Sequence, residues 1–465
     1  MVDRVFPAGF LWGVAGAGHQ TEGGNDNSDT WFAEHVTPTV FAEPSGPACD
    51  SWARWREDVG LAAGLGLTAY RFSVEWARVE SEEGTYSAKA LGHYEAIVDE
   101  CLARGLAPVV TFNHFTSPHW FARRGSFTDP EAPRLFARYC DQVMQRFGDR
   151  IAFAVTLNEP NLPRLLTWFG LPDSVRELER ATLRAASEAA GVRAYRLTNV
   201  VLPEDLDAMA AGLAAGHAAA KAAIKARRPD LPVGFSLALV DDVVAGDDPS
   251  LRDRKRAECY QMWLELARDD DFLGVQNYER VVFGPGGPLP PPAGAPVNQM
   301  GTAVEPLSLA GAVRYAYSVA GVPILVTEHG ISTADDTLRS AFLEPALRGL
   351  LDVIGEGVPV LGYIHWTLLD NFEWISGYAG QLGLYEVDRT TFERTPKPSA
   401  AVYAAIAKAH GVNRSDPHLG YSDPGEDLPQ IVQVHARALN AGRGMSRVHP
   451  PVDQAQERLS RQPQL

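Results

Sequence analysis

The chain has 465 residues, a formal net charge of -16 and 45% apolar residues. That acidity excludes a nucleic-acid or anionic-membrane partner, each of which attracts basic surface, and the apolar fraction excludes a disordered chain. The four cysteines, Cys49, Cys101, Cys140 and Cys259, have no metal-ligand spacing, so they read as reduced core thiols in a cytoplasmic protein.

From the N-terminus, Arg4 followed by Val5 to Gly18 has the outline of a secretory leader. Pro7 and four glycines interrupt it, which makes a poor leader core and favours a strand. That first apolar run, Phe10 to Gly18, is followed by Trp52, Trp55, Val59 and Ala62 on one helical face. Ala69 to Trp76 predicts a second strand and Leu91 to Ala103 a helix. Ala107 to Phe115 and Pro133 to Phe147 repeat the alternation. Ile151 to Leu157 and Leu206 to Arg227 follow, then Val233 to Val240 and Ala257 to Ala267. Phe272 to Tyr278 with Leu309 to Val319, and Ile324 to Thr327 with Leu338 to Ile354, continue it. Val360 to Trp366 and Ala400 to Ala409 complete eight strand–helix pairs. Such alternation predicts an α/β fold, a (β/α)8 TIM barrel, over residues 1–412. An open doubly wound sheet is second choice, because no glycine-rich phosphate loop follows the first strand. From 413 to 465 the composition turns polar and proline-rich, which predicts an irregular tail. No apolar stretch is long enough to span a membrane.

In a barrel, function gathers at the C-terminal strand ends. Those ends carry His19, Gln20 and Glu22; Arg71, Glu75 and Trp76; Asn113, His114 and Phe115; and Asn158 and Glu159. Later ends carry Gln276, Asn277 and Tyr278, then Glu328 and His329, then Trp366, Asp370, Asn371, Glu373 and Trp374. Each residue alone reads as structural: a satisfied histidine, a core tryptophan, an arginine neutralising its neighbour. Together they include two carboxylates, Glu159 and Glu328, on strands four and seven. Two carboxylates across a central pocket are what glycosidic cleavage needs, one protonated and one ionised.

Several stretches resemble glycoside hydrolase family 1, the β-glucosidase and β-galactosidase family. They are Thr156-Leu157-Asn158-Glu159-Pro160, Val326-Thr327-Glu328-His329-Gly330, Phe6-Pro7 through Gln20-Thr21-Glu22-Gly23, Tyr70-Arg71-Phe72-Ser73, and Leu368 to Trp374. The resemblance covers roughly residues 6 to 411, with the motifs in order. It implies a retaining, exo-acting β-glycosidase of β-glucosidase type, with carboxyls about 5–5.5 Å apart. It implies Glu159 as acid/base, Glu328 as nucleophile, and Arg71 and Tyr278 as the groups that hold the nucleophile. Asn158 then meets the sugar 2-OH. Gln20, His114, Glu373 and Trp374 meet the other hydroxyls, and Trp366 lies beneath the ring. The implied partner is a small β-glycoside or short oligosaccharide. No cofactor is expected, and the twelve histidines form no metal-binding motif. Transglycosylation by the same site, or a sugar-binding barrel without turnover, are the alternatives. His329, Phe115 and Gln276 depart from the family pattern around the sugar. Asn161 to Asp205 departs further, on the leaving-group side.

Overall fold

The computed structural model describes residues 2–413. The chain from Arg414 onward, and with it all but Asn413 of the tail expected at 413–465, lies outside the described residues. Eight parallel strands, numbered β1–β8 here, close into a barrel: Leu11–Ala15, Ala69–Ser73, Ala107–Asn113, Phe153–Asn158, Val233–Ala238, Leu273–Asn277, Ile324–His329 and Val360–His365. Strand β8 pairs with β1, so the barrel has no free edge.

The apolar runs form strands because both of their faces are buried. Ala15, Ala69, Val109, Val155, Phe272, Leu325 and Ile364 form a cluster inside the barrel. That cluster plugs the barrel, so any site at the C-terminal mouth has a floor. The larger core lies between the strands and the surrounding helices. The helix Ala132–Phe147 shows the pattern: it buries Leu135, Phe136, Tyr139, Cys140, Val143, Met144 and Phe147, one stripe at helical spacing. All four cysteines are buried and unpaired in disulfides. Among the described residues no helix is long and apolar enough to cross a membrane.

The expected strands and helices are present, with shifted ends. The first run stops at Ala15, and Gly18–Thr21 winds into a helical turn that carries Gln20. The helix expected over Ala257 to Ala267 is broken up: Ala257–Gln261 is a wider π turn, followed by a short helix, Met262–Leu266. The sequence reading missed the helix Asp173–Ala190, which buries Leu183 and Ala186. It also missed several short strands. Val2–Val5 pairs with Gly411–Asn413, Asp241–Val244 with Arg280–Gly284, and Tyr385–Val387 with Arg394–Pro396.

One ion pair ties the last of these strands to the first barrel helix. Arg394 Nε donates to Asp58 Oδ1 at 2.9 Å, with the two side chains 0% and 2% exposed. Burial still holds the Asp58 carboxyl above its ordinary pKa. Removing one partner therefore leaves a buried charge with no counter-ion. Arg394→Met is expected to cost about 3–5 kcal/mol in urea denaturation. Adding Asp58→Leu should recover most of that loss.

Candidate active site

Arg71 points from β2 into the barrel and is 1% exposed. Its Nε donates to Thr111 Oγ1 on β3 at 3.0 Å. One terminal nitrogen donates to Glu328 Oε1 at 2.6 Å and to the Thr327 carbonyl at 3.1 Å, both on β7. The other donates to Asn158 Oδ1 on β4 at 2.6 Å. Arg71 does not neutralise Glu75, the simple reading of its sequence neighbourhood. Glu75 accepts from Asn25 and Thr116 instead.

Glu328 is gripped at both oxygens. Tyr278 Oη donates to Oε2 at 2.5 Å, opposite the Arg71 bond to Oε1. Burial raises this carboxyl above its ordinary range, and Arg71, Tyr278 and Gln276 offset part of that rise. Glu159 faces the opposite conditions. Burial and the Glu328 charge push it well above the ordinary carboxylate range. Among the described residues it has no side-chain donor. Glu159 thus keeps its proton longer than Glu328 does. Burial also keeps the Tyr278 phenol protonated, as a donor.

Asn158 Oδ1 accepts from both Arg71 and Gln276, the latter at 2.9 Å. Two donors there fix the amide's orientation, and its NH2 group is left for another acceptor. Around this core, four buried atoms have no partner among the described residues: Gln20 Oε1, His114 Nδ1, Gln276 Oε1 and Glu373 Oε1. Gln20 is held by its other end, with Nε2 on the Phe372 carbonyl at 2.8 Å. Burial and the Glu328 charge raise Glu373 to about 8. Burial lowers His114 well below its usual value, so the ring is neutral. His114 lies parallel to Trp366, with ring centroids 5.5 Å apart, and parallel to Trp374 at 6.2 Å.

Every expected site residue thus lies in or beside this one cluster. Not every strand-end residue does. Glu22 bonds Tyr94 and Arg78, and Trp76 stacks on Tyr139 in the core. His19 bonds Glu34 and stacks behind Trp374, with ring centroids 5.7 Å apart. His329, expected near the sugar, points the other way. Its ring stacks on Phe342 and its Nδ1 meets Tyr363 Oη at 2.9 Å, between β8 and an outer helix.

A model of glycosyl hydrolase family 1 matches residues 2–184 and 293–412. This chain belongs to glycosyl hydrolase family 1. The thermostable β-glucosidase B of Thermobispora bispora is 31% identical over 459 residues, spanning 89% of this chain and 93% of that protein. A crystal structure of a β-glycosidase is 47% identical and superposes with a TM-score of 0.81, over 89% of this chain and 100% of that one. A β-glucosidase from Thermotoga maritima, in complex with deoxynojirimycin, is 26% identical with a TM-score of 0.76, over 88% of this chain and 100% of that one.

Gln276 and Tyr278 fall in the stretch that the family 1 model leaves unmatched, yet both reach the central cluster. Sequence reasoning missed Thr111 and Asn161. Thr111 buttresses Arg71, and its inward position on β3 could be counted from Val109 in the barrel interior. Asn161 clamps the turn after Glu159 to Ala238, donating to its carbonyl at 2.8 Å and accepting from its N–H at 3.1 Å. No periodic signal marks it. The two carboxyls should titrate apart. Carbon-13 NMR of labelled glutamate is expected to place Glu159 above Glu328. Tyr278→Phe, which deletes a donor to the ionised form, should move the Glu328 titration to higher pH.

Proposed function

We propose that this chain is a retaining, exo-acting β-glycosidase whose main substrates are β-glucosides. The observation that carries the reading is the unequal treatment of two buried carboxyls in one pocket. Among the described residues Glu328 has a donor on each oxygen, and Glu159 has no side-chain donor. Glu159 acts as the acid and Glu328 as the nucleophile.

In the first step Glu328 attacks the anomeric carbon while Glu159 gives its proton to the glycosidic oxygen. The bond to the leaving group breaks, and a covalent glycosyl-enzyme forms. Once Glu328 is esterified, the charge that raised Glu159 is gone. Glu159 then accepts a proton from water as that water attacks the same carbon, and Glu328 is released. Arg71 and Tyr278 aim Glu328 and hold it ionised. The Asn158 NH2 donates to the sugar 2-OH, a contact that strengthens as charge develops at the neighbouring carbon. Gln20, His114, Glu373 and Trp374 receive the remaining hydroxyls, and Trp366 supports the ring. A sugar phosphate is repelled by the Glu328 carboxylate. The plugged barrel beneath the pocket favours cleavage at a chain end. Glucosides are favoured because related family 1 proteins are named as β-glucosidases. The buried unpaired thiols and acidic surface suit the cytoplasm.

A panel of 4-nitrophenyl glycosides tests this, with the β-glucoside expected to be cleaved fastest and the α-glucoside untouched. Glu328→Gly should remove turnover. Glu159→Ala should lower kcat/KM by roughly 10²–10⁴ on an alkyl β-glucoside, and far less on an activated aryl one. Wild-type activity in both variants would overturn the assignment.

A further inference from the structure

Behind β4, outside the barrel, lies a buried polar chain that the reaction does not touch. Thr156 Oγ1 is 2.7 Å from His217 Nδ1, on the helix Leu206–Arg227. His217 Nε2 is 3.2 Å from Asp270 Oδ1 and 3.1 Å from Oδ2. Lys221 Nζ donates to Asp270 Oδ1 at 2.7 Å. Thr156, His217 and Asp270 are all buried. The carboxylate beside Nε2 sets the tautomer, so the proton sits on Nε2 and Nδ1 is an acceptor. The Thr156 hydroxyl therefore donates outward to the imidazole at 2.7 Å, with the Gly234 carbonyl on β5 a longer second acceptor at 3.3 Å. Hydroxyl, imidazole and carboxylate in line resemble a hydrolase triad, but Thr156 has no opening to a substrate.

The chain sits where β4 breaks its alternation. In a regular strand, residues two apart share a face. Thr156 faces the outer helix, yet Asn158 faces Arg71 inside. Against β5, three residues from Val155 to Asn158 span what two span from Gly234 to Ser236. This is a bulge, and bulges re-aim side chains. The next residue, Glu159, is held in the left-handed region at φ 46, with its N–H on the Ser236 carbonyl at 2.8 Å. For a residue with a long side chain that conformation persists only where its surroundings enforce it.

We propose that Thr156, His217 and Asp270 are positioning residues that lock this bulge and so hold the Glu159 carboxyl at the leaving oxygen. Lys221 holds the Asp270 carboxylate in place from its other side. The inference rests on the acid role given to Glu159 above.

The test compares kcat/KM for octyl β-glucoside, whose departure needs a proton, with that for 2,4-dinitrophenyl β-glucoside, whose departure does not. Glu159→Ala is measured beside Thr156→Val, Thr156→Ser and His217→Leu. Thr156→Val keeps the side-chain volume and removes only the hydroxyl. It is expected to lower kcat/KM about 100-fold on the alkyl substrate, the scale of a small misplacement of a reacting group. On the dinitrophenyl substrate the change should stay within about 3-fold, since no proton transfer is lost. His217→Leu should show the same split, and Thr156→Ser, which keeps the donor, should stay near wild type. Equal losses on both substrates in Thr156→Val, or no loss on either, would overturn the proposal while Glu159→Ala still shows the split. If Glu159→Ala shows no split, the acid assignment falls and this inference falls with it.

Discussion

The site is organised by one buried guanidinium. Arg71 is almost fully withdrawn from water, a state that is tolerated only when every donor is met and a counter-charge is adjacent. Its partners come from β3, β4 and β7, so satisfying it draws three strand ends toward β2. The planar fork suits the task, because its nitrogens diverge toward Glu328 on one side and Asn158 on the other. Lysine, a single point charge, would not hold both. The same contacts that stabilise the cation keep one carboxylate ionised and turn one amide outward.

Glu328 and Glu159 reach the pocket through breaks in strand register. On β7, Val326 belongs to the outer core while Glu328, two residues on, lies inside. The pairing with β6 slips between them. Strand β4 slips against β5 just before Glu159. Strand β5 touches both slips: the Ser236 carbonyl accepts from the Glu159 N–H, and the Ser236 hydroxyl lies 2.8 Å from Thr327 Oγ1. A regular barrel would send alternate strand-end residues outward. The slips let each carboxyl end a strand and still point to the axis.

Much of this was legible in the chain. Apolar runs such as Ile151 to Val155 are buried on both faces, so composition alone marked them as barrel strands. Strand-end polar residues followed from that topology. The direction of each side chain did not. Ala154, Val155 and Leu157 are all apolar, so no alternation shows where β4 slips. For the same reason Glu22 and His329 looked like pocket residues and proved to be ion-pair or packing residues outside it, while His19 lies behind Trp374 and bonds Glu34. The helix Asp173–Ala190 was legible and missed: Val175, Leu178, Thr182 and Ala186 share one helical face.

The unpartnered atoms of the pocket, Gln20 Oε1, His114 Nδ1, Gln276 Oε1 and Glu373 Oε1, all belong to the cluster around the two carboxyls. On the proposed reading they recognise hydroxyls that a released monosaccharide still carries. What they contribute to holding substrate they contribute equally to holding product. Departure of the sugar therefore competes with entry of the next glycoside. As free sugar accumulates it occupies a growing share of the enzyme, and conversion slows well before the substrate is exhausted.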